Sequence, residues 1–143
     1  MKTLKQKSGS SNCVAVVIAM MTDTSVVKVE DLTHSLGFKA PYNDFQFIRI
    51  VFDLGFTVGY GLEVTDSSKA DWDAYAQAIE VPVWNQLAYV VVKSEVVEGQ
   101  THAVFWDGQS VRDPSPQAAD ERKLSEYDIE KFVPVFAVPE EEN

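Results

Sequence analysis

The sequence predicts an α+β fold, with helices in the first half and an antiparallel sheet in the second. Three observations predict it. Four segments before residue 80 carry helical signals: capping residues, apolar spacing and closing glycines. After residue 86 the chain turns β-branched and aromatic. Between two of those later runs stands Asp107-Gly108, a strong signal for a tight hairpin and hence for antiparallel pairing. Helices first and strands later reads as α+β rather than as alternating α/β.

The elements follow in order. Residues 8–12, Ser-Gly-Ser-Ser-Asn, form a polar turn, and Asn12 or Ser11 suits an N-cap. The segment Cys13 to Met21 is nearly all apolar, so periodicity alone allows a buried strand or a buried helix. The cap signal and the Ala and Met content favour a helix buried on most sides. A second helix is expected from about Val29 to Leu36, closed by Gly37. A third runs from about Asp44 to Leu54, closed by Gly55, with Phe45, Ile48, Val51 and Phe52 as its core positions. A fourth, short helix spans Ala70 to Ile79, with Pro82 beyond its end.

Strands are expected at Leu87 to Val92 and at His102 to Trp106. After Asp107-Gly108, Ser110 to Arg112 returns before Asp113-Pro114. A short helix near Ser125 to Lys131 precedes a last strand, Phe132 to Val138. The length of 143 residues predicts a single domain over 1–139, with 140–143 as a frayed acidic tail. Trp72, Trp84 and Trp106 read as packing residues.

Charge and cysteine usage narrow the function classes. Twelve Lys and Arg stand against 22 Asp and Glu, for a net charge of −10. Phosphate affinity comes from clustered Lys and Arg, so no nucleic-acid partner is expected, and no docking on an anionic membrane. A hydrophobic content of 45% suffices for a real core. Cys13 is the single cysteine, which excludes an intramolecular disulfide and a Cys-rich zinc site. No metal and no organic cofactor are expected. The apolar run Val14 to Met21 is too short to span a bilayer, and Thr22-Asp23-Thr24-Ser25 after it is no small-x-small cleavage site. The expectation is a soluble, cytoplasmic protein with a free thiol. The sequence carries no signal for an oligomeric state.

One constellation carries chemistry. A thiol in the first turn of a helix sits where unpaired N–H groups and the helix dipole favour negative charge, which lowers its pKa. Cys13 has that place. A thiol nucleophile needs a base, and His102 opens a strand late in the chain. The imidazole needs an orienting acceptor. Asp113 lies just past the hairpin whose first strand holds His102, and antiparallel pairing brings such residues together. Asp107 is the rival orienter, but its residue type is already explained by the Asp-Gly turn. Oxyanion donors are the Cys13 N–H and Gln6, seven residues upstream.

Each residue also has a plainer reading. Taken alone, Cys13 is a small buried hydrophobe. His102 is a strand residue bonded to a carbonyl, Asp113 starts a turn before Pro114, and Gln6 is an exposed polar residue. Their order along the chain is what favours the catalytic reading. Trp106, four residues after His102, points to the same side of a strand, where it either lines a substrate cleft or shields the His–Asp pair from water. His34, the other histidine, reads as a surface residue.

Gln6…Asn12-Cys13 before a buried helix, Thr101-His102-Ala103-Val104 opening a strand, and Asp113-Pro114 after a tight hairpin together resemble the papain-like cysteine peptidases. The resemblance is to the small C39-like peptidase domains of bacteria and phages, and it spans residues 6 to about 116. It implies a papain-like fold in which Cys13 is the nucleophile and His102 the general base and acid. Asp113 would orient His102, and Gln6 would be the oxyanion donor. The implied partner is a peptide or protein substrate, cut at an amide or isopeptide bond, in the host cytoplasm if the gene is phage-borne. Val14-Ala15 stands where transporter-associated members carry Gly-Pro, so a double-glycine leader is not the implied substrate.

The alternative class is a non-catalytic acidic interaction or inhibitor protein, phage-encoded or a papain-like fold without activity, that binds a basic host partner. The charge of −10 motivates it. Against it, the carboxylates are dispersed, with density only at Asp120-Glu121 and from Glu126 to Glu142.

Overall fold

A computed structural model describes residues 3–7, 12–79 and 86–139. Its first element is helix α1, Cys13–Met21, in which every residue from Ala15 to Met21 is buried. A helix with no polar face must be enclosed on all sides, and the later elements enclose it. Helix α2, Val26–Ser35, begins three residues earlier than the sequence predicts, because the Ser25 side chain caps it by accepting from the Lys28 N–H. Helix α3, Asp44–Asp53, starts with a capping box: the Asn43 side chain accepts from the Gln46 N–H, and the Gln46 side chain accepts from the Asn43 N–H. Helix α4 spans Lys69–Ile79.

Two short strands, β1 (Phe56–Val58) and β2 (Leu62–Glu63), lie between α3 and α4 and escape the sequence reading. Then follow β3 (Leu87–Lys93), β4 (Thr101–Trp106), β5 (Val111–Arg112) and β6 (Ile129–Ala137). All pairings are antiparallel, in the order β1-β6-β3-β4-β5, with β2 also against β6. The α+β class is therefore what forms. The sheet separates two apolar clusters. Ala103 and Phe105 of β4 join α1 and the inner side of α3 on one face. Val104 and Trp106 join Trp72 and Ala76 of α4 on the other. Strict alternation along β4 thus feeds both cores.

Two expectations need correction. On α3 the core positions are Phe47, Ile50 and Val51, whereas Phe45 is 85% exposed, Phe52 is 62% exposed and Ile48 is also exposed. The helix carries two apolar stripes, and periodicity identifies both without saying which meets the sheet. Packing chooses the one whose Phe47 ring lies 4.3 Å from that of Tyr89 on β3. The helix expected at Ser125 to Lys131 is only a 3-10 turn, Leu124–Glu126. Ile129 and Lys131 are instead paired to Val92 and Val91 of β3, so sheet hydrogen bonding overrides local helical preference.

Trp84, Pro82, the alternative cap Ser11 and the tail 140–143 lie outside the described residues. Among the described residues no helix is long and apolar enough to cross a membrane.

Candidate active site

Cys13 is the first residue of α1, and no acidic side chain shares that first turn. Its thiol is therefore the group that meets the N–H groups that an α-helix leaves without intrahelical acceptors. Asn12 is the N-cap residue, but its side chain makes no capping bond to a helix N–H. What holds Cys13 in place is α1 itself, wedged against β4. Burial by itself would raise the thiol pKa. The His102 hydrogen bond, the Ala103 N–H, the His102 charge and the Val14 N–H together outweigh it, and the net shift is downward.

His102 is the second residue of β4 and is partly buried. Its Nε2 lies 2.7 Å from Asp113 Oδ1. With Nε2 so engaged, Nδ1 is the nitrogen left for the Cys13 thiol, to which the ring is also hydrogen-bonded. Burial would lower the imidazole pKa, but the bonds to Asp113 and Cys13 and their negative charges raise it to about 9. The two shifts, thiol down and imidazole up, are those of a pair that favours thiolate and imidazolium together.

Asp113 is 3% exposed. A buried carboxylate is tolerated only with donors around it, and Asp113 has them. Oδ1 accepts from His102 and from the Ser115 N–H at 2.8 Å. Oδ2 accepts from the Tyr127 hydroxyl at 2.6 Å, with Arg122 Nη1 3.7 Å away. Burial pushes the Asp113 pKa up, and the His102, Tyr127 and Ser115 bonds bring it below its ordinary value. The rival Asp107 is occupied elsewhere. Its Oδ1 accepts from the Gln109 and Ser110 N–H groups of its own turn, and its Oδ2 takes Arg112 Nε at 2.8 Å.

The N-terminal segment of residues 3–7 is laid beside this carboxylate. The Gln6 N–H donates to the Pro114 carbonyl at 2.7 Å, and Lys5 Nζ donates to the carbonyls of Asp113 and Ala118. Gln6 is thus brought to the Asp113 segment through its backbone, and it is half-buried rather than exposed. Residues 8–11, which precede the thiol in sequence, are outside the described residues.

Trp106 requires a correction. It is fully buried in the cluster on the α4 side of the sheet. A side chain with no exposed surface cannot line a cleft, so of its two readings the lining role is lost. It occupies the same sheet face as Val104, where bulk is needed to fill the space under α4. His34 is exposed on α2, as a surface histidine should be.

Three residues escape the sequence reading: Tyr127, Arg122 and Lys5. Each meets Asp113 through tertiary structure, and nothing in its local sequence marks it. Tyr89 of β3 is a fourth. It packs on the same cluster as Cys13, and burial, then the charges of Cys13 and Asp44, hold its hydroxyl well above the usual phenol range.

Two concavities open elsewhere on the surface. One of about 520 Å³ is lined by Glu63, Asp66, Lys93 and Asp128 among others. The other, of about 750 Å³, lies at the far end of α1, beside Met20, Asp107 and Arg112. Neither is lined by Cys13, His102 or Asp113. Chemistry, not concavity, marks the site. Comparison of the chain with protein-family models, with curated proteins and with solved structures finds no match.

Proposed function

We propose that this protein is a thiol hydrolase of papain-like, C39-like fold that cleaves a peptide or other amide or isopeptide bond. The observation that carries the reading is the continuous hydrogen-bonded line from Cys13 to His102 to Asp113, with Cys13 at a helix N-terminus. Burial alone would oppose both charged partners, so a pair tuned toward thiolate and imidazolium is more than a core cysteine beside a satisfied histidine.

The chemistry follows from the donors and acceptors. The Cys13 thiolate attacks the acyl carbon, a C–S bond forms, and the carbonyl π electrons move to oxygen. The Cys13 N–H and the Gln6 side chain are the proposed oxyanion donors. As the intermediate collapses, the C–N bond breaks and the His102 imidazolium gives its proton to the leaving amine. Water then attacks the thioester, His102 takes its proton, and the thiolate leaves. Asp113 stays ionised throughout and holds the ring in the orientation both steps need.

The test is alkylation of Cys13 by iodoacetamide between pH 4 and 9, in wild type and in His102→Ala. The expected result is fast alkylation with an apparent midpoint well below that of a free thiol, lost in the variant. A slow profile like that of a free thiol, unchanged by the variant, overturns the reading. It would favour an acidic binding protein instead.

A further inference from the structure

We propose that Tyr127 and Arg122 are positioning residues that pin the far oxygen of Asp113, and thereby set how readily His102 releases its proton. The inference rests on the triad reading above for its catalytic meaning, but its geometry stands independently.

The Asp113 carboxylate has two sides. Oδ1 faces the site, where it accepts from His102 Nε2 and the Ser115 N–H. Oδ2 faces away and meets a layered assembly. The Tyr127 hydroxyl donates to it at 2.6 Å. The Arg122 guanidinium lies over the Tyr127 ring, 4.3 Å from its centroid, and reaches to 3.7 Å from the same oxygen. Arg122 is anchored in turn by Glu95 at 3.1 Å and Glu126 at 3.7 Å. The parts come from four places in the chain: the loop after β3, the segment after β5, Arg122 at its isolated bridge to Val111, and the end of the 3-10 turn with the residue after it. Tyr127 is itself buried, and its hydroxyl has its partner in Asp113.

Two consequences follow from a strong donor on Oδ2. It fixes the carboxylate against rotation, so that Oδ1 stays on the ring. It also draws negative charge toward Oδ2, so Oδ1 is a weaker acceptor than a carboxylate with that oxygen bare. The imidazolium is then less stabilised than it would otherwise be, which makes it a better acid toward the leaving amine. The charged and titratable groups around the ring are Cys13 from α1 and Asp113 after β5. Around Asp113 they are Tyr127, Arg122 and, at its backbone carbonyl, Lys5. Glu95 and Glu126 face Arg122, and Tyr89 faces Cys13. Of these, Tyr127 and Arg122 act on the far oxygen.

The experiment is an NMR titration of the His102 ring in Tyr127→Phe and Arg122→Gln, in which the only other imidazole is that of His34. The expected result is an upward move of the His102 midpoint by about half to one pH unit in Tyr127→Phe, with a smaller move of the same sign in Arg122→Gln. An unmoved midpoint in a folded variant would mean that Tyr127 is structural only, and a downward move would reverse the proposed polarisation. Either result overturns the inference. If Tyr127→Phe does not fold, Arg122→Gln is read on the same criterion. The titration needs no substrate and no turnover. A wild-type thiol with free-thiol reactivity would therefore sink the hydrolase reading without touching this result, and an unmoved His102 would sink the inference without touching the hydrolase reading.

Discussion

His102 and Asp113 meet diagonally across a four-residue hairpin loop. The β4–β5 register pairs Phe105 with Arg112 and Trp106 with Val111. Extended by one step, it sets Asp113 opposite Val104, on the same sheet face as His102 and one diagonal position from it. The two side chains bridge that diagonal at 2.7 Å. The tight turn at Asp107-Gly108, with Gly108 at φ 93°, is what sets the register. A one-residue slip would turn Asp113 to the other face.

The orienting role proposed for Asp113 is therefore separable from the turn role of Asp107. Asp113→Asn removes the charge that holds His102 protonated. Its titration should fall by about 1–3 pH units, and Cys13 alkylation at pH 6 should slow accordingly. Asp107→Asn should weaken the loop and its bond to Arg112 while leaving the alkylation profile in place. Rates measured on both variants against pH decide the matter, and equal effects would remove Asp113 from its assigned role.

The site should work in a bounded pH window. Below the lowered thiol pKa, Cys13 is neutral and unreactive; above about 9, His102 has lost the proton the leaving group needs. Hydrolysis should trace a bell whose upper limb falls near pH 9, with both midpoints belonging to the coupled pair. Alkylation, which needs no proton donor, should keep a plateau above that limb. A bell in the alkylation profile itself would contradict this assignment of the limbs.

Stability should follow the same groups. The folded His102 pKa of about 9 lies above its ordinary 6.5. Its contribution is thus fully present below pH 6.5 and is lost as pH rises through 9. Asp113 is depressed below 3.8, so its contribution is present above that value and is lost as pH falls through the lowered one. Urea midpoints for wild type and His102→Gln should converge between pH 7 and 10. A gap that widens with pH would show the sign to be wrong.

The two faces of α3 should differ sharply. Phe47→Ala empties a buried site packed against the Tyr89 ring and should cost about 3–5 kcal/mol. Phe45→Ala, at 85% exposure, should change stability by less than about 0.5 kcal/mol. Chemical denaturation of the two variants checks this, and comparable losses would mean that the outer stripe is covered in solution.

Removal of the proposed nucleophile and base gives the bluntest prediction. Cys13→Ala should abolish turnover of any amide substrate found, and His102→Ala should reduce it by about 10²–10⁴-fold. Full activity in Cys13→Ala, measured on the same substrate, would end the thiol mechanism.

The sequence by itself determined what rests on local rules. The helix opening at Cys13 follows from the polar turn before it and the Ala and Met content of its apolar run, the hairpin from Asp107-Gly108, and the order Cys13, His102, Asp113 from the chain itself. Tertiary structure decided what depends on which surfaces meet. It chose Phe47 over Phe45 on α3, because both stripes are apolar and only one finds Tyr89. It drew Ile129 and Lys131 into β6, because a vacant edge of β3 offers hydrogen bonds that an isolated helical turn does not. It buried Trp106 in the core. It also delivered Tyr127, Arg122 and Lys5 to Asp113. A buried carboxylate demands donors from wherever the fold can bring them, and no spacing along the chain records where that is.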